Sequence, residues 1–167
     1  IFGVDESRTA SLRALETLGY EVVRRQYEMR IALDTPLTRP DFPSDYELRP
    51  FVIEHDSKTV HAVFQECFAD HFGGVAQIPH DQWAHHFGDA DFDPTLFYIL
   101  YHEGEIAAIC LCEISSREEK LGIVEVLGVR PTYRKQGLGG LLLRHAFYEF
   151  QQRGYAEVGL GVDSENT

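Results

Sequence analysis

Residues 126–143 read Val-Leu-Gly-Val-Arg-Pro-Thr-Tyr-Arg-Lys-Gln-Gly-Leu-Gly-Gly-Leu-Leu-Leu. An apolar strand runs into a basic, glycine-rich turn, which opens directly into an amphipathic helix. Glycines 137, 139 and 140 let the backbone come close to a ligand, because no Cβ stands in the way. The first turn of the following helix offers unpaired N–H groups and the positive end of the macrodipole. Arg130, Arg134 and Lys135 add positive charge to a chain whose net charge is -12. Together these features describe a phosphate cradle.

Spacing selects among cradles. A P-loop needs G-x-x-x-x-G-K-[ST], and no lysine follows a glycine in that frame. A dinucleotide fingerprint needs G-x-G-x-x-G, but Leu142 stands where the third glycine should be. Arg134-Lys-Gln-Gly137-Leu-Gly139 instead matches [RQ]-x-x-G-x-[GA], and the chain thereby resembles the GNAT acyltransferases; the upstream Val129-Arg-Pro131-x-Tyr133-Arg134 agrees. The resemblance implies a bound acetyl-CoA. Its diphosphate would lie on the turn formed by Arg134, Lys135, Gln136, Gly137, Leu138, Gly139 and Gly140, and its pantetheine arm along Leu127, Gly128 and Val129.

A second pattern frames the chain. Ile-Phe-Gly-Val-Asp-Glu-Ser-Arg-Thr (1–9) echoes Gly-Leu-Gly-Val-Asp-Ser-Glu-Asn-Thr (159–167), with Gly3 aligned on Gly161, an offset of 158 residues. In the GNAT family such a strand end leads into N-x-x-A-x-x-L-Y-E-x-x-G-[FY], and residues 8–20 keep Glu16, Gly19 and Tyr20 of that pattern. The chain resembles one period of a tandem GNAT protein, and its 66–75 and 83–94 segments resemble the second repeat of mycothiol synthases. On this reading residues 1–34 are equivalent to the end of a preceding repeat, 35–45 are a proline-rich linker, and 46–167 form the acetyl-CoA-binding body. Asn166, the asparagine of the echoed segment, joins the expected cofactor contacts.

Composition fits one compact domain: 167 residues, 44% hydrophobic and 12% aromatic. No apolar run approaches the ~20 residues that span a bilayer, and no signal-peptide pattern is read. Cys67, Cys110 and Cys112 lack zinc spacing, and Cys110 and Cys112 fall on one strand face as small core residues. A reducing cytoplasm is the expected setting. The acidic balance argues against nucleic acid and anionic membranes. The eight histidines, His85-His86 included, show no ligand spacing, so no metal is expected.

Periodicity gives an α/β (α+β) order. A helix is expected at 8–18 and a strand at 20–33, with Tyr27, Met29, Ile31 and Leu33 on one face. The body then reads as a strand from Tyr46 to Ile53, a helix from an N-cap at Ser57 to Phe68, and a second helix at 80–87. Next come a hairpin of 95–102 and 105–115, a strand at 124–129, a helix at 138–153 and a strand at 155–162. That succession is the one the GNAT resemblance implies, a mixed central sheet flanked by helices. The N-terminal segment is expected to complete the sheet, within the chain or by exchange in a homodimer, because a bare strand edge invites aggregation.

The implied chemistry is acyl transfer from acetyl-CoA to a primary amine of a small molecule by direct attack. The amine arrives protonated and needs a carboxylate. Glu125 is the first candidate, two residues before the cofactor-contacting stretch. Glu113 on the preceding strand is second, and Asp70 or His71 third. A backbone N–H near Leu127 or Gly128 would polarise the thioester carbonyl. The tyrosine that serves as proton donor in the family has no counterpart at Leu15 in the N-terminal copy, leaving water or Tyr133 for that role. The alternative is a non-catalytic acyl-CoA-binding or structural GNAT module.

Overall fold

The computed structural model describes residues 3–71, 77–85, 87 and 92–165. The described elements, in order, are α1 (Thr9–Thr17), β1 (Gln26–Ala32), β2 (Tyr46–Pro50), α2 (Ile53–Cys67), α3 (His80–His85), β3 (Phe97–His102), β4 (Glu105–Ile114), β5 (Leu121–Val129), α4 (Leu138–Gln152) and β6 (Glu157–Asp163). One six-stranded sheet has the order β1-β6-β5-β4-β3-β2. Strands β2 to β5 are antiparallel neighbours, whereas β6 runs parallel to β5. A parallel step needs a crossover, and α4 supplies it.

The chain divides into two compact units, Met29–Gly161 and a smaller one of Ile1–Glu28 with Val162–Thr167. In the larger unit, α4 covers one sheet face. Its i, i+4 stripe of Leu138, Leu142, Ala146 and Phe150 is 0–2% exposed and packs on Leu100, Ala108, Cys110 and Val124. Burying each large side chain contributes about 1.5–3 kcal/mol. The other face is covered by α2 and α3, through Val60, Val63, Phe64 and Trp83 against Phe97, Ile99 and Ile109. Cys110 and Cys112 do share a face, with sulfurs 3.7 Å apart in the core.

Among the described residues, the smaller unit contributes none to the two core clusters. Helix α1 buries no residue. It ends at Gly19 (φ +86°), with Tyr20 N–H bonded to the Leu15 carbonyl and Gly19 N–H to that of Glu16. Arg24 Nε donates to the buried Asp163 at 2.7 Å.

Three expectations need correction. Helix α2 starts at Ile53, so Ser57 lies inside it, and the Val52 N–H is held by the Asp56 carboxylate at 2.8 Å. Its start depends on an i, i+4 side-chain contact, and Ser57 Oγ pairs instead with His80 Nε2 at 2.8 Å. Strand β5 begins at Leu121, three residues early, because β4 and β6 pair with it from there. The N-terminal strand does take the sheet edge beside β6, but it is shorter than 20–33. Its alternation marks no buried face: Tyr27, Met29 and Ile31 are exposed, and only Leu33, just beyond it, is buried.

Candidate active site

The parallel ladder joins Leu121–Val124 of β5 to Glu157–Leu160 of β6 and stops there. Strand β5 continues through Glu125–Val129 with no ladder partner on that side among the described residues. Alternation tells which backbone groups face the opening. Arg130 N–H bonds to the Ala107 carbonyl of β4, so Arg130, Gly128 and Val126 turn their amides towards β4. Leu127 and Val129 therefore turn theirs away from it. The Val129 carbonyl is taken by Arg134 Nε at 3.1 Å. The Leu127 N–H and C=O stand towards the gap, free to pair with an extended, amide-bearing arm.

Glu125 is placed by a defect in the ladder. Leu111 faces Val126 and the next residue, Cys112, faces Val124, so Glu125 is the extra residue of a β-bulge. It is exposed, and its side chain makes no hydrogen bond or ion pair among the described residues. Glu113 faces Ile123, three residues along β4 from Cys110, the partner of Leu127. At a strand rise of about 3.3 Å that is roughly 10 Å away.

Past β5, Arg130 leads into a 3-10 turn, Pro131–Tyr133, and then into the glycine-rich segment. Lys135 (φ +63°) and Gly137 (φ +79°) both adopt left-handed backbone, a curl that turns successive amides towards one centre. Gly137 is the N-cap of α4 and makes no side-chain cap. The first bond of the helix runs from Leu141 N–H to the Gly137 carbonyl, so the amides of Leu138, Gly139 and Gly140 have no helical acceptor. A Cβ built on Gly137 would meet nothing within 4 Å, and one on Gly139 or Gly140 only ordinary contacts at 3.5 and 3.7 Å. These glycines do not relieve internal crowding. They leave free amides beside open space, as a diphosphate requires.

Two side chains of the turn, those of Arg134 and Gln136, have partners within the protein. Besides its bond to Val129, Arg134 donates to the Cys67 carbonyl at 3.0 Å. The Gln136 side-chain oxygen accepts from the Tyr46 hydroxyl at 2.9 Å, and burial, with Asp45 and Tyr133 adding to it, holds that phenol above its ordinary pKa. Tyr133 packs edge-on to His102, 5.6 Å away, and its ring is engaged there. Asp70 and His71 follow α2 directly. His71 packs edge-on against Phe68, whose ring lies 3.2 Å from where a Cβ on Gly128 would stand. Cys67 lies against the same glycine. Burial, helped by Glu66 and opposed by Arg134 and Arg130, pushes its thiol up to about 11.

Asn166 and residues 72–76, 86 and 88–91 of the segments that resemble mycothiol synthases lie outside the described residues. Among the described residues, no three His, Cys, Asp or Glu side chains converge as a metal site would need.

The acetyltransferase (GNAT) family matches residues 39–167. The chain belongs to that family. A mycothiol acetyltransferase of Thermobispora bispora is 28% identical over 169 residues, covering 95% of this chain and 55% of that protein. A solved GCN5-related N-acetyltransferase of Sphaerobacter thermophilus superposes with a TM-score of 0.82 at 28% identity, over 98% of this chain and 50% of the other. A GNAT acetyltransferase of Brucella melitensis, solved in complex with acetyl-CoA, shares the fold at a TM-score of 0.57 and 17% identity, covering 69% and 74% of the two chains. The chain thus spans about half the length of the first two relatives.

Neither the Arg134–Cys67 bond nor the Gln136–Tyr46 bond was visible in the sequence. Both join residues far apart in the chain through side chains that carry no periodic signal. The Glu125 bulge left no trace either, since a run of apolar residues around one glutamate reads as a continuous strand.

Proposed function

We propose that this GNAT unit transfers an acetyl group from acetyl-CoA to the primary amine of a small molecule by direct attack. The observation that carries the reading is the parting of β5 from β6 after Val124, which leaves the Leu127 amide open between the phosphate turn and the bulged Glu125. The cosubstrate's pantetheine arm lies along Leu127–Val129 as a pseudo-strand, and its diphosphate sits on the amides of Gln136–Gly140. The Leu127 N–H donates to the thioester oxygen and stabilises the charge that develops there. Glu125 takes a proton from the amine, directly or through one water. The amine nitrogen then bonds to the thioester carbon, the C–S bond breaks, and the proton that the newly bonded nitrogen sheds passes through water to the CoA thiolate. A thiolate is a modest base, with a thiol pKa of about 8.5. It therefore needs little help to leave.

The state of Cys67 supports direct attack over an acyl-enzyme. With its pKa pushed up to about 11, the thiol stays protonated at neutral pH and is a poor nucleophile.

A second reading, a non-catalytic acyl-CoA-binding module, is favoured by one residue, Leu15, where the family's donor tyrosine would fall. Glu125→Gln separates the two when binding is followed by titration with acetyl-CoA and turnover on a panel of small primary amines. The enzyme reading expects turnover to fall at least about 100-fold with cosubstrate affinity retained. Micromolar binding by the parent chain without turnover on any amine would favour the module.

A further inference from the structure

The C-terminal turn of α2 is fastened to Arg130, just past β5, and to Arg134, the first residue of the glycine-rich turn. On the β5 side, Arg130 Nε donates to Glu66 Oε2 at 2.8 Å, while its NH1 reaches the Ile106 carbonyl at 3.1 Å. On the loop side, Arg134 bridges two backbone carbonyls, that of Val129 at 3.1 Å and that of Cys67 at 3.0 Å. The Cys67 carbonyl belongs to the last turn of α2, where carbonyls lack helical donors and the dipole is negative, so a guanidinium there is doubly favourable. Between the two ties, helix and strand are in direct contact. A Cβ on Gly128 would stand 3.0 Å from Cys67 Cβ, 3.1 Å from its Sγ and 3.2 Å from the Phe68 ring. Phe68 in turn carries the edge of His71, one of the candidate proton acceptors.

These contacts place two arginines of a basic turn where they hold protein backbone and a helix-end carboxylate. The backbone amides of Gln136–Gly140 can receive a diphosphate without either guanidinium. We propose that Glu66, Arg130 and Arg134 are positioning residues that couple occupancy of the phosphate turn to the order of the α2 end and of Phe68–His71 on the acceptor side of the cleft. The inference rests on acetyl-CoA occupying the turn. A ligand that fixes the turn fixes the two guanidinium groups. Their bonds then restrain Glu66 and Cys67, and the segment that would meet the amine is held before the amine arrives. The coupling is reciprocal, so loosening the α2 end weakens the grip on the cosubstrate.

Hydrogen–deuterium exchange on the full chain tests this, with and without desulfo-CoA at matched fractional saturation. The variants are Glu66→Ala and Arg134→Lys; the latter keeps its charge but its ammonium cannot bridge two carbonyls as a planar fork does. Peptides spanning 60–71 report the coupling, those spanning 137–142 report the turn, and those of β3 report folding. In the parent chain, desulfo-CoA is expected to slow exchange at 60–71 at least about threefold. Both variants are expected to bind and to keep the slowing at 137–142 while losing it at 60–71. Arg134→Lys carries the test if Glu66→Ala loses protection in β3. Equal slowing at 60–71 in parent and variants overturns the coupling, as does binding by the parent with no slowing there. No binding by the parent overturns the acetyl-CoA reading, and the coupling with it.

Discussion

Gly137 and Gly104 share a backbone state, φ +79° and +86°, and at neither would a Cβ meet an atom within 4 Å. Alanine at either position costs about 1–2 kcal/mol from the left-handed conformation alone. They differ in surroundings: Gly104 closes the β3–β4 hairpin, whereas Gly137 opens α4 beside the free amides. Gly137→Ala and Gly104→Ala should therefore lower the unfolding midpoint alike, but only Gly137→Ala should weaken acetyl-CoA binding, by at least about tenfold. Titration calorimetry with acetyl-CoA checks this, and equal affinity in the two variants would take the diphosphate off the turn. At this scale the glycine-rich turn that opens a helix was legible from residue types and spacing, because left-handed backbone beside open space is what glycine favours. The bonds of Arg134 were not, since a basic residue in a basic turn carries no sign of its partners, the Val129 and Cys67 carbonyls.

Two glycines of β5 set how helices meet the sheet in the larger unit, Gly128 under the end of α2 and Gly122 under α4. The Phe150 ring of α4 lies over Gly122 of β5, 2.5 Å from where a Cβ would be. Gly122→Ala should overpack that contact and destabilise the fold by about 1–3 kcal/mol, read as a shift in denaturant midpoint at constant slope. Gly122 is far along β5 from the open stretch at Leu127, so acetyl-CoA affinity should change little under conditions where the variant is folded. Unchanged stability would mean that α4 can shift on the sheet. Helix α4 was legible because Leu138, Leu142, Ala146 and Phe150 repeat at helical spacing, and burial enforces that spacing. The start of α2 was misplaced because Ser57 is a good cap by type, while the Val52 amide finds its acceptor in Asp56, a residue already inside the helix.

Across the larger unit, the core beneath α4 contains a polar pair with a pH consequence. His145 is 2% exposed and sits edge-on to Tyr98, with ring centroids 4.7 Å apart. Tyr98 Oη and His145 Nδ1 have no hydrogen-bond partner among the described residues. Burial holds the His145 pKa below the ordinary 6.5, against the pull of Glu149 and with Arg39 assisting. Above about pH 6.5 the imidazole is neutral whether the chain is folded or not. As pH falls through that value the unfolded chain takes up the proton first, and stability is lost until the folded pKa is passed. Unfolding midpoints at pH 7.5 and 5.5 should therefore diverge more for the parent than for His145→Phe, and equal pH dependence would remove His145 as the cause. The sequence by itself determined the family, the order of elements in the body and the glycine-rich turn before α4, because these follow from local periodicity and from glycines at fixed spacing. Tertiary structure alone decided where β5 parts from β6, that Glu125 is bulged out of the ladder, and that two arginines of the turn hold the end of α2. Each of those depends on pairing between segments distant in sequence, set by the register of neighbouring strands and by how closely a helix can approach a strand glycine.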